Sequence, residues 1–188
     1  MVFDWNNVAV LSANYLIGHQ PFRQENNRFY AKNGSIKNHT FRNFPRLKFE
    51  EGVLIIDCTF ENCGSITFDE SRIDNCTFSH IDTISLINST ASNCTFADFS
   101  CGNDAVIFLE DGKIHHCTFD KVCLTNEAYL CDGVGDCWID HCTFTNIQTD
   151  RQDREIISCE EITGKIFKKK KKYCIVNEDS CTGIPLVP

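Results

Sequence analysis

The sequence predicts an all-β fold, a parallel β-helix (solenoid) of about six to seven turns with an N-terminal cap. The first observation behind this is a recurring tripeptide: Cys58-Thr59-Phe60, Cys76-Thr77-Phe78, Cys94-Thr95-Phe96, Cys117-Thr118-Phe119 and Cys142-Thr143-Phe144. His39-Thr40-Phe41 opens the series, and the steps between copies are 19, 18, 18, 23 and 25 residues. Self-similarity at this period belongs to solenoids, whose repeats bury their apolar sides only by stacking on one another. The second observation is a wider apolar spacing around each tripeptide, clearest at Ile73, Cys76, Phe78, Ile81, Ile84 and Leu86. The third is strand periodicity. Cys and Phe two apart share one strand face and Thr takes the other, so bulky Phe marks the inner side.

Taken in order, residues 1–34 do not fit the repeat. Val8, Leu11 and Tyr15 have helical spacing, which predicts an amphipathic segment capping the open end of the rod. Residues 35–167 form the β-helix. The pair Ile84 and Leu86 adds a second short strand after a corner. Two or three short strands per turn of roughly eighteen residues, stacked ~4.8 Å apart, give a rod on the order of 30 Å long. Ladders of Cys, Phe and Ile run inside it, each buried side chain contributing roughly 1.5–3 kcal/mol before entropy is charged. Leucine-rich repeats have a similar length but need Leu-x-Leu strands and a fixed Asn, which are absent. Residues 155–176 are expected to close the far end in irregular turns. Residues 168–188 hold five consecutive lysines and a tail, and Leu186-Val187-Pro188 resembles the start of a thrombin-site linker. The lysines block end-to-end strand pairing, form a solvated loop, or contact an anion.

The phrases Ile73-Asp74-Asn75-Cys76-Thr77-Phe78 and Ile139-Asp140-His141-Cys142-Thr143-Phe144 resemble the strand-and-corner repeat of right-handed parallel β-helix proteins of the pectin-lyase-like superfamily. Four residues after each Cys, or after His39, stand Asn43, Asn62, His80, Asp98, Lys121 and Asn146. These resemble that family's corner asparagines, and Asn tolerates the left-handed backbone of a tight corner. The resemblance covers residues 36 to about 147. It implies the fold, and leaves function open because many functions share it.

Composition narrows the classes. The formal charge is −8, and residues 1–167 alone carry 13 basic and 24 acidic side chains, a balance of −11. An acidic rod is no nucleic-acid binder, since phosphate contacts need positive charge; it can imitate nucleic acid toward a basic groove, or simply be solvated. No secretory signal and no membrane span are expected. Thirteen cysteines, an odd number with five in one inward series, fit a reducing compartment, so the expected location is cytoplasmic. The glycosylation triplets at Asn38, Asn75, Asn88 and Asn93 fall out of the repeat itself.

Three insertions fall at one corner, at 100–104, 123–127 and 148–154. Insertions repeated at one corner project from one edge, often the binding edge. The candidate binding residues are therefore Asn103, Asp104, Asn126, Glu127, Asp150, Arg151, Asp153 and Arg154, against a reading of tolerated loop variation. A second corner bulges at 131–137. Cys131 and Cys137 there invite a disulfide or, with His141, zinc, and Asp132 and Asp136 invite calcium; the spacing is not that of a strong metal site, so a Gly turn with packed thiols is preferred. Outward beside the Thr column runs Asn38, Asp57, Asn75, Asn93, His116 and His141. His116 and His141 are weak metal candidates, set against simple stacking of neutral rings. A Thr column also raises ice binding, but its partners are Asn, Asp and His, and β-propensity explains Thr more simply. Glu61 with Asp57, next to Arg42, is the one close same-face pair for carboxylate chemistry, set against a surface ion pair.

The expectation is a non-catalytic acidic β-helix that binds a protein partner, with inhibition or nucleic-acid mimicry as one version. No cofactor, no nucleic acid and no membrane are expected. The alternatives are a carbohydrate-binding or carbohydrate-processing pectin-lyase-like protein, for which an oligosaccharide is the ligand, and an oligomeric fibre or spike component.

Overall fold

Among the described residues, nineteen that are not glycine hold a left-handed backbone, with φ between 47° and 62°. They fall into three series, and these are the corners of the coil. The first series is Asn38, Asp57, Asn75, Asn93, His116 and His141; the second is Asn43, Asn62, His80, Asp98, Lys121 and Asn146; the third is Asn33, Glu51, Glu70, Asn88 and Asp111. Asp104 and Asn126 complete the set within the insertions. Left-handed backbone costs an L-residue roughly 1–2 kcal/mol, and Asn and Asp tolerate it best, which is why they recur at this spacing.

The structure is a computed structural model describing residues 2–4, 22–25, 28–102, 104–126, 128–149, 155–159, 167–168 and 175–176. Every element among them is a strand, and no helix among the described residues is long and apolar enough to cross a membrane. Ahead of the coil lie β1 (Val2–Asp4), β2 (Phe22–Glu25) and β3 (Arg28–Lys32). The first turn is β4 (Ser35–Lys37), β5 (Thr40–Arg42) and β6 (Arg46–Glu50), the second β7 (Leu54–Ile56) and β8 (Thr59–Asp69), the third β9 (Arg72–Asp74) and β10 (Thr77–Ile87). The fourth is β11 (Thr90–Ser92), β12 (Thr95–Cys101) and β13 (Ala105–Glu110); the fifth is β14 (Lys113–His115), β15 (Thr118–Leu124) and β16 (Tyr129–Val134). A sixth begins with β17 (Trp138–Asp140), β18 (Thr143–Thr145), β19 (Gln148–Thr149) and β20 (Glu155–Cys159), followed by β21 (Phe167–Lys168) and β22 (Ile175–Val176).

The chain is thus a parallel β-solenoid of about 5 turns, slightly fewer than the sequence spacing predicts. The copy at Cys142 opens the last turn, but parts of that turn lie outside the described residues. One sheet has six short strands in the order β17-β14-β11-β9-β7-β4, and a 16-stranded sheet wraps the other two sides. In β8 and β10 the ladder runs on past the second corner, through Asn62 and His80. The first 34 residues contribute strands where they are described: Val2–Asp4 pairs in parallel with Thr40–Arg42, and β2 and β3 form an antiparallel hairpin whose second strand pairs with β6. Val8, Leu11 and Tyr15 lie outside the described residues, as do Lys169 to Lys172.

Inside the coil, register stacks like on like. Phe41, Phe60, Phe78, Phe96, Phe119 and Phe144 form one column, with neighbouring ring centroids 4.8–5.0 Å apart and planes within 13° of parallel. Phe49 and Phe68 stack the same way at 5.1 Å. Each such pair adds about 0.5–1.5 kcal/mol beyond its buried area. Ile36, Ile55, Ile73, Ala91, Ile114 and Ile139 line the six-stranded side, all buried.

One sequence expectation needs correction here. The column Asn38, Asp57, Asn75, Asn93, His116, His141 is not an outward strand face beside Thr; it is the first corner series. The Thr-Phe strand starts only after the Cys, and the left-handed residue before that Cys turns the chain between two sides. Corner amides bond to the next turn, as Asn75 N does to Ser92 O at 3.0 Å. Side chains do the same: Asn75 Nδ2 donates to Asp57 Oδ1 at 2.6 Å and Asn62 Nδ2 to Asn43 Oδ1 at 2.6 Å.

Asn75→Ala and Asn75→Gly separate backbone cost from this exposed hydrogen bond, since both remove the bond and only Ala meets the steric penalty. The alanine variant is expected to be less stable than the glycine variant by about 1 kcal/mol, read from urea denaturation midpoints.

Candidate functional site

The insertion edge forms because three turns lengthen at the same rung. Ser100 and Cys101 of β12 pair with Cys123 and Leu124 of β15, and these pair with Gln148 and Thr149 of β19. The first two loops then bond to each other. Thr125 N donates to Cys101 O at 2.9 Å, Asn126 Nδ2 to Gly102 O at 2.7 Å, and Tyr129 N to Asp104 O at 2.8 Å. Asp104 and Asn126 are exposed, both left-handed, and come to this one edge. Asn103, Glu127, Asp150, Arg151, Asp153 and Arg154 lie outside the described residues.

The 131–137 bulge resolves into a turn with packed thiols. Cys131 and Cys137 are buried. Cys131 continues the inward column of Ile107 and Ile157, while the Cys137 thiol donates to Val134 O at 3.1 Å and Leu109 O at 3.4 Å. Gly135 supplies a φ of 80°, and Asp111 Oδ1 accepts from the Asp136 amide at 2.8 Å.

His116 and His141 stack with ring centroids 4.9 Å apart and planes 4° from parallel. Parallel rings keep equivalent nitrogens about 5 Å apart, more than twice a Zn–N bond of about 2.1 Å, so the stack cannot share one metal through equivalent atoms. Among the described residues no group of three or more His, Cys, Asp or Glu is placed to hold a metal ion. His115 Nδ1 lies 3.1 Å from His116 Nδ1, and Asp140 sits against His141 Nδ1. Burial, then the neighbouring His116 and Arg72, hold the His115 imidazole below its ordinary value.

The carboxylates paired in the sequence reading have separate partners. Asp57 is a corner residue that accepts from Asn75, whereas Glu61 Oε2 binds Arg42 Nε at 2.7 Å on the strand face. Arg42, Asn43, Glu61, Asn62 and His80 line a shallow, open depression over the second corner. The outward Thr column is in register from Thr40 to Thr143. Sequence reasoning missed the outward column Ser35, Leu54, Arg72, Thr90, Lys113, Trp138 of the six-stranded side. Its signal was present, four residues before each Cys or His39. At its end Lys113 Nζ lies 5.9 Å from the Trp138 ring centroid, and Trp138 is exposed.

No known family profile matches the chain, and no curated protein matches it.

The buried thiols are held protonated. Burial pushes Cys63 up to about 11. Contact with the Cys117 thiol raises Cys94, and contact with the Cys142 thiol raises Cys117, each to about 12. Among the described cysteines, iodoacetamide at about pH 8 should therefore label half-buried Cys101 and Cys123 first and spare these three until denaturant is added, as mass spectrometry would show. Unfolded thiols release protons near their ordinary value of 9.0 while the folded ones keep theirs. Stability should then fall as pH rises from about 9 towards about 12.

Proposed function

We propose that this chain is a non-catalytic acidic β-solenoid that binds a protein partner through the edge built by its C-terminal insertions. The observation that carries the reading is the register of those insertions: loops from successive turns leave the coil at one rung and the first two are bonded to each other. A scaffold that aligns polar loops on a rigid core presents a preformed surface at low entropic cost. The acidic balance of the chain favours a partner with a basic groove, in the manner of an inhibitor or nucleic-acid mimic, acting in a reducing compartment such as the cytoplasm. Affinity capture with the wild type and with a variant shortened across 148–154 tests this. A partner is expected with the wild type and its loss with the shortened loop; a partner held equally by both would remove the insertion edge from the reading.

The depression lined by Arg42, Asn43, Glu61, Asn62 and His80 favours a second reading. In it the chain is a right-handed, pectin-lyase-like protein that binds or processes carbohydrate, with Glu61 as its working carboxylate. Calorimetric titration with neutral and uronic oligosaccharides at about 1 mM separates the two. The first reading expects no saturable heat; saturable binding or turnover lost in Glu61→Gln would select the second.

A further inference from the structure

The first corner series changes character between the fifth and sixth turns. In the earlier turns it is tied by amide and carboxylate: Asn75 Nδ2 donates to Asp57 Oδ1 at 2.6 Å, and Asn93 Nδ2 to Asp74 Oδ1 at 2.8 Å. At the last seam the same positions are His116 and His141, stacked in parallel. His115, at the end of β14, brings its Nδ1 to 3.1 Å from His116 Nδ1. Three imidazoles therefore meet where the sixth turn lies on the fifth.

We infer that His115, His116 and His141 form an acid-responsive latch: uncharged, they close the seam between the fifth and sixth turns, and charging them opens it.

A hydrogen bond between two Nδ1 atoms needs a proton on one and a lone pair on the other, so it fails when both are protonated. Two stacked imidazolium rings would place like charges 4.9 Å apart, with no hydrogen bond between them to offset the repulsion. The charges around the three rings are of mixed sign. From β17, Asp140 sits against His141 Nδ1. From β9, Asp74 favours charge on His115, while Arg72 opposes it. Within β14, Lys113 adds a further positive charge two residues away on the same face, over Trp138. Asp74 is itself engaged by Ser92 Oγ and Asn93 Nδ2. The sign follows from His115, whose neutral form is favoured in the fold by burial and then by His116 and Arg72: the unfolded chain takes up that proton first as pH falls below the ordinary imidazole value of 6.5. Stability is thus present above that pH and lost below it.

The sixth turn is held to the fifth by short ladders, three residues each for β17 on β14, β18 on β15 and β20 on β16, and two for β19 on β15. Loosening it displaces Gln148 and Thr149, where the third insertion begins. The consequence for a partner rests on the partner-binding reading, since release of the insertion edge by acid would weaken that complex; the latch itself does not.

The fold supplies its own control residues. Ser92 occupies the position of His115 one turn earlier, and Asn75 and Asn93 occupy the corner of His116 and His141. The triple variant H115S/H116N/H141N keeps corner-compatible residues and removes the titration. Hydrogen exchange on the full chain, corrected for the intrinsic pH dependence of amide exchange, would be compared at about pH 7.5 and about pH 5.5. Wild-type protection over residues 138–149 should fall about tenfold relative to residues 54–92, and the variant should show no such difference. An equal loss in the variant, or none in the wild type, overturns the latch. Should the variant fold poorly at neutral pH, histidine titration in the wild type by NMR decides. Steps spread over more than about one pH unit support coupling; three independent titrations near the ordinary value overturn it. Exchange behaviour as expected with no captured partner would retain the latch and discard the partner reading.

Discussion

Everything in this molecule follows from the cost of turning a parallel coil three times per circuit. A corner requires one residue in the left-handed region, and an L-side chain there loses roughly 1–2 kcal/mol. Nineteen such residues would unfold a chain whose net stability is only about 5–15 kcal/mol, unless each corner returned as much as it cost. The return is visible in two places. The corner amide bonds to a carbonyl of the next turn, and at Asn75 and Asn62 the side-chain amide also bonds to the neighbouring corner residue. The period is thus energetic as well as geometric: corners must stack to be tolerated.

The repeated cysteine has its explanation in the same corner. It stands directly after the left-handed residue, buried, and its thiol donates to the carbonyl two residues earlier. Cys58 does so to Ile56 O at 3.2 Å, Cys76 to Asp74 O at 3.3 Å and Cys94 to Ser92 O at 3.1 Å. At the third corner the hydroxyls of Ser71 and Ser89 make the same bond, to Asp69 O at 3.0 Å and Ile87 O at 2.8 Å. A small side chain with one donor adds a second bond to a carbonyl that, at Ile56, Asp74, Ser92 and Ile87, already accepts a corner amide of the adjacent turn. Cys and Ser are interchangeable in this role, so the repeated cysteines at the first corner report corner chemistry, with neither a metal site nor a disulfide framework required to account for these positions.

That rule also shows what the sequence could yield. The phenylalanine column was legible because bulk at fixed spacing leaves one inner face, and the second corner series because Asn recurs where Phe-bearing strands must end. The first series was misread, since Cys and Phe two apart look like one strand. The left-handed residue before Cys58 has the same successor pattern as Asn62 before Cys63, and that parallel was the available signal. The insertion edge was legible in part: spacing located it, but pairing across β12, β15 and β19 was needed to show the loops leaving from one rung. The outward column through Arg72, Lys113 and Trp138 was missed for a simpler reason. Its residues share no chemistry, so only alignment on the tripeptide exposes it.

A core this uniform leaves little freedom for function, because every inward position is committed to stacking and every corner to the next turn. Function must therefore enter through outward columns, insertions, or corners whose chemistry departs from the rule. The first corner series offers that departure where Asn and Asp give way to His116 and His141. An amide and a carboxylate keep their bonding through mild acid, whereas imidazoles change charge between pH 5 and 8. The same backbone requirement is met at every turn, yet only at this seam of the series does meeting it depend on protonation. The third insertion begins on the turn beyond this seam, while the first two leave the fourth and fifth turns, so this corner contact lies within the stretch of coil that carries the edge proposed to meet a partner.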